Sequence, residues 1–108
     1  MIKLQVIPQT GQDVYKLLRD KVANEAKTWE WTNNAKTRLR RPNDSKAGYI
    51  DVSNANGVLV AEIFPGTRDA WFFAERIIGR LAAWFPNEIV AINLQIQSTP
   101  QKPKSKKK

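Results

Sequence analysis

Gly48 to Phe64 reads GYIDVSNANGVLVAEIF, and the fold class turns on how this stretch is read. Two runs rich in Val, Ile and aromatic residues flank Asn54-Ala-Asn-Gly57, where Asn and Gly tolerate the positive φ that a tight hairpin demands. The stretch therefore predicts two antiparallel strands, Gly48–Ser53 and Gly57–Phe64. The second is apolar on both faces except at Glu62, the pattern of a strand with neighbours on either side.

Working outward, each flank supplies a helix and a strand. On the N-terminal side, Ile2–Ile7 alternates as a half-covered strand that Pro8 ends. Thr10-Gly-Gln-Asp13 has the spacing of a capping box, which predicts a helix start at Thr10. Val14, Leu17, Leu18 and Val22 then recur at helical spacing to about Lys27. Thr28-Trp-Glu-Trp-Thr32 switches to period two, Asn33-Asn34 can turn, and Lys36–Arg41 follows, giving two short strands or one interrupted strand. On the C-terminal side, a helix is expected over Arg68–Phe85, ended by Pro86, with Gly79 inside it read as a packing position. Its apolar arc, through Trp71 and Ala82, spans about half the circumference, wider than one sheet contact requires. Glu88–Gln97 alternates into a strand with one polar face.

The resulting order, strand, helix, strands, helix, strand, matches a split β-α-β plan. It resembles the ferredoxin-like fold in this order of elements. That resemblance implies an α+β two-layer sandwich, with two helices on one face of a mostly antiparallel sheet. Residues 1–97 are expected to form a single domain and residues 98–108 a disordered Lys- and Pro-rich tail. The 108-residue length suits one domain.

Composition narrows function more sharply than it narrows the fold. The chain contains no His and no Cys, which removes imidazole bases, Ser-His and Cys-His nucleophiles, disulfides and thiolate or imidazole metal sites. The ten carboxylates are scattered, without the close pairs of an acid/base or hard-metal site. A non-enzymatic protein without cofactor or metal is expected. The start, MIKLQVIPQTGQD, lacks the apolar core of a signal peptide, and no apolar run is long enough to span a bilayer. These features lead to the expectation of a cytoplasmic protein.

The charge points to an anionic partner, but unevenly. The net charge is +8, with a pI near 10.1. Five cations, Lys102, Lys104, Lys106, Lys107 and Lys108, lie in the tail, leaving residues 1–101 with thirteen positive against ten negative groups, a net +3. A second basic cluster, Thr37–Lys46 (TRLRRPNDSK), holds Arg38, Arg40, Arg41 and Lys46. Guanidinium groups there are placed to fork onto phosphate while Trp29 or Trp31 stacks a base, and the tail adds contacts without sequence preference. The same stretch also reads as a charged strand edge that blocks aggregation, with both Trp residues in the core.

A second functional class is equally drawn from the sequence. Arg68, Phe72, Arg76 and Arg80 lie four apart on the C-terminal helix, opposite its apolar half. A Phe among arginines on an outward stripe, with Trp71 on the flank, describes a protein contact, and a homodimer through this face or through an exposed strand edge is the alternative to nucleic-acid association. By strand alternation the uncovered sheet face carries Lys3, Gln5, Glu62, Asn93 and Gln95. That surface has no aromatic pattern of an RNA-recognition sheet.

Overall fold

A computed structural model describes residues 2–25, 29–41, 47–67 and 70–96 of the chain. The central hairpin forms as read: β4 (Ala47–Ala55) and β5 (Val58–Gly66) join through Asn56 and Gly57. These two residues have φ of 53° and 86°, the positive pair of a type I′ turn. Asn54 Oδ1 accepts a bond from the Gly57 N–H and fixes the corner.

Around that hairpin the chain lays β1 (Ile2–Pro8), α1 (Val14–Asn24), β2 (Glu30–Trp31), β3 (Arg38–Arg40), α2 (Ala70–Trp84) and β6 (Ile89–Ile96). Among the described residues six strands form one sheet in the order β2-β3-β4-β5-β1-β6, and each neighbouring pair is antiparallel. The N-cap of α1 is Asp13, whose carboxylate accepts from the Lys16 N–H, so the helix starts three residues beyond the expected Thr10. A carboxylate at that position satisfies an otherwise free amide. The helix is capped at Glu25, shorter than read.

The chain is α+β, but the ferredoxin-like sandwich expected from the element order is overturned. Of the described residues, strand accounts for 45% and helix for 30%. The segment between α1 and β4 adds a hairpin beyond β4, so the sheet has six strands and β4 is an inner one. Helix placement follows this extension: α1 packs on β2, β4 and β5, while α2 packs on β5 and β1. Two side chains, Tyr15 and Trp31, tie α1 to the added hairpin. Tyr15 OH donates to the Lys36 carbonyl at 2.9 Å, and Trp31 Nε1 donates to the Arg19 carbonyl at 3.2 Å. Period-two sequence declares a strand but not its neighbour, which is chosen by long-range pairing such as Leu39 with Ile50.

One core joins the elements. Val14, Leu18 and Val22 of α1 and Phe73, Ala74, Ile77 and Leu81 of α2 are buried with Leu4, Val6, Leu59 and Ile63. Each helix buries one stripe, and every second strand residue meets it. Among the described residues no helix is long and apolar enough to cross a membrane.

Candidate functional site

The basic hairpin resolves into two sides of a pleat. Trp31 pairs with Leu39 and Leu39 with Ile50, a row whose members from Leu39 onward are fully buried. Trp29 shares that parity and is 2% exposed, its ring stacked on Phe73 at 5.4 Å between centroids. Arg41, half-buried, holds its guanidinium 5.8 Å from the Trp29 ring. Trp31 is half-buried and committed through its indole N–H to α1. Neither ring stands on the open face, so the base-stacking arrangement expected of Trp29 and Trp31 is not what the fold builds.

Arg38 and Arg40 occupy the opposite, open face, and each meets a carboxylate. Arg38 forks onto Asp51, with Nε to Oδ1 at 2.7 Å and Nη2 to Oδ2 at 3.1 Å. Its guanidinium also lies 3.9 Å above the Tyr49 ring, which stacks on Phe64. The hydrogen bonds to Asp51 raise the Arg38 pKa above its ordinary value, with a smaller contribution from the charge of Asp51. Arg40 Nε donates to Glu30 Oε2 across the β2–β3 pair. The register extends this face as a row, Arg38–Asp51–Glu62–Lys3–Gln95, which alternates in sign at its ends and is neutral in sum. Lys3, Gln5, Glu62, Asn93 and Gln95 share one face as expected, joined by Tyr49 and Phe64.

The described residues carry ten Lys and Arg against eight Asp and Glu, and four of those cations are ion-paired: Arg19, Lys21, Arg38 and Arg40. The folded body is therefore a weak attractor of polyanions. Lys46, Arg68 and the tail lysines, Lys102 to Lys108, lie outside the described residues.

On α2, Trp71 is 53% exposed. Phe72 is half-buried, with the Arg76 guanidinium 4.7 Å from its ring. Arg76 and Arg80 are exposed. Helical phase sets Trp71, Ile78 and Ala82 on one flank of α2 and Arg76 and Arg80 on the other, so the proposed interface residues do not share a single patch. Gly79 is exposed, and a Cβ there would meet nothing within 4 Å, so it is not the packing position read from the sequence.

The two sheet edges differ in kind. β2 is two residues long, includes the charged Glu30 and is tied to α1. β6 is eight residues long, IVAINLQI, with no charge and no Pro, and among the described residues it pairs only with β1. Val90 is 58% and Ile96 76% exposed. Ile92 and Leu94, on the same side as Ile96, are only half-buried, because α2 packs chiefly on β5 and β1. Exposed edge strands are usually short, charged, bulged or covered. β6 has a register shift opposite Pro8, which skips Val90, but otherwise keeps its row of backbone donors and acceptors open. Sequence reasoning found this strand and missed its place at the edge of the sheet. The signal was there in eight consecutive residues without a charge, but their position at an edge was not.

No family model matches the chain, and comparison with curated proteins and with solved structures gives no match either.

Proposed function

We propose that the chain is a small non-catalytic binding module that takes on a partner strand along β6. The observation that carries this reading is the uncharged, eight-residue edge with Val90 and Ile96 exposed. Strand addition supplies main-chain hydrogen bonds along the whole edge, and alternate side chains supply selectivity. Half-covered Ile92 and Leu94 give the incoming strand an apolar neighbour, so pairing removes further apolar surface from water.

A photo-reactive side chain at Ile96 tests this in cells, with a control at Thr32 beside the opposite edge. The expected result is an adduct from Ile96 that maps to an extended segment of the captured chain and disappears in Val90→Lys. Equal labelling from the two positions, or none from Ile96, overturns the reading.

Nucleic-acid association is the second reading, and the five tail lysines favour it. In that reading binding is electrostatic and belongs to the tail, because Arg38 and Arg40 are engaged by Asp51 and Glu30.

A further inference from the structure

Resting on the strand-addition reading, we infer that the strand received by β6 is β6 of a second copy of this chain, paired antiparallel about a two-fold axis through Asn93. An antiparallel strand pair is related by a two-fold axis, so one surface can serve both partners, which is the commonest arrangement of soluble oligomers. A strand that meets its own reverse must tolerate each residue opposite whatever the symmetry delivers. The absence of charge from Ile89–Ile96 removes like-charge opposition at every position.

Symmetry and pleat then select the register. With the axis perpendicular to the sheet, both copies keep their helices on the same side, and directly opposed residues share a face. Over the regular part of the strand, Ala91–Ile96, opposed positions must therefore both be even or both odd. Of the registers that obey this, the one centred on Asn93 sets Ile92 against the partner's Leu94 and brings Ile96 alongside the partner's Val90, where the bulge of β6 lies. It joins the two half-covered apolar residues and gives Ile96, the most exposed of the strand, an apolar neighbour. On the other face it sets Ala91 against the partner's Gln95, and Asn93 against the partner's Asn93, where each amide both donates and accepts. Moving the centre to Ile92 puts Ile96 opposite the partner's Glu88, and moving it to Leu94 carries Val90 past Ile96, beyond the paired strand. A dimer so formed extends the sheet through both copies and leaves the blunt β2 edges outermost.

Sedimentation equilibrium of the full chain over a range of concentrations, together with single-cysteine variants, tests the inference. The expected mass is twice the 12.3 kDa of one chain. Val90→Lys and Ile96→Lys, at positions already exposed in the monomer, should each weaken the dimer by about tenfold or more, because an apolar contact is replaced by a buried charge. The native sequence has no Cys, so any disulfide in a single-cysteine variant is intermolecular. Opposed residues of an antiparallel pair lie about 4.5–5.5 Å apart at Cα, within disulfide reach. Asn93→Cys should cross-link on oxidation. Ala91→Cys and Gln95→Cys should fail to cross-link alone and succeed when mixed. A single-chain mass at every concentration overturns the second-copy inference, and so does a dimer in which Asn93→Cys stays unlinked. If the Ile96 photo-adduct persists in either case, strand addition by a different chain stands. If the adduct is lost too, both readings fall.

Discussion

The Trp29 ring stacks on Phe73 with centroids 5.4 Å apart and an interplanar angle of 22°. This contact joins the residue that leads into β2 to the first turn of α2, across the core, and removes Trp29 from the surface. Truncating a buried aromatic costs about 3–5 kcal/mol through lost transfer energy and an unfilled cavity. Trp29→Ala and Phe73→Ala are each expected to lower the unfolding free energy by that order in urea titrations. A loss below about 1 kcal/mol would place the ring outside the core.

Gly48 and Gly79 should respond to alanine with opposite signs. A Cβ at Gly48 would sit 1.7 Å from the Phe64 carbonyl oxygen and 2.5 Å from the Gly66 nitrogen, both backbone atoms of the paired strand. Gly48→Ala must push β4 from β5, and a cost of about 1–3 kcal/mol or more is expected. Gly79→Ala meets nothing and replaces a helical glycine, so a gain of roughly 0.5–1 kcal/mol is expected. Thermal melts of the two variants side by side provide the check.

Tyr15 and Trp31 fasten α1 to the added hairpin. Tyr15→Phe removes the 2.9 Å bond to the Lys36 carbonyl and keeps the ring, so a loss of about 0.5–1.5 kcal/mol is expected. Amide exchange should accelerate first in β2 and β3, which have few other ties. Uniform acceleration across the sheet would mean that the hairpin does not open on its own.

The ion pairs on the open face are expected to matter little to stability. Arg38–Asp51 and Arg40–Glu30 are substantially exposed, and pairs of that kind are screened by solvent. Arg38→Ala and Arg40→Ala should leave the urea midpoint nearly unchanged. A clear fall in the Arg38→Ala midpoint would show that its contact with Tyr49 is a packing contact rather than a surface one.

Any nucleic-acid binding by the full chain should reside in the tail. Removing residues from Ser98 onward takes away five lysines. At about 0.7–0.9 per neutralised phosphate, five contacts give a slope of roughly 3.5–4.5 in log K against log salt. The truncated chain is expected to lose that slope, with Arg38→Ala and Arg40→Ala changing affinity less than about twofold. If the two arginine variants weaken binding as much as the truncation does, the hairpin takes part.

Local signals in the sequence carried much of the fold and less of the site. Asn56-Gly57 specified the central turn because few residues accept its positive φ. The alternation of Ile2–Ile7 and of Ile92, Leu94 and Ile96 specified strands and their inner faces, and it correctly gathered Lys3, Gln5, Glu62, Asn93 and Gln95 on one surface; at Val90 it failed, because a bulge gives the inner position to Ile89. It misjudged the first helix start, because Thr10 and Asp13 both suit an N-cap and only the backbone decides between them. It could not tell that Arg38 would meet Asp51, thirteen residues away, or that Arg40 would meet Glu30, so that two of the cluster's arginines are ion-paired.

The sequence by itself determined which segments are strands and helices, because period, turn chemistry and caps act over a few residues. It also determined that imidazole and thiol chemistry lie outside this chain's repertoire. The tertiary structure alone decided that the segment after α1 would extend the sheet past β4, that Trp29 and Trp31 would face inward, and that β6 would be left at an edge. Those outcomes depend on which strand lies beside which. Strand order is fixed by contacts between residues far apart in the chain, where the competing arrangements differ in buried area and pairing rather than in local pattern.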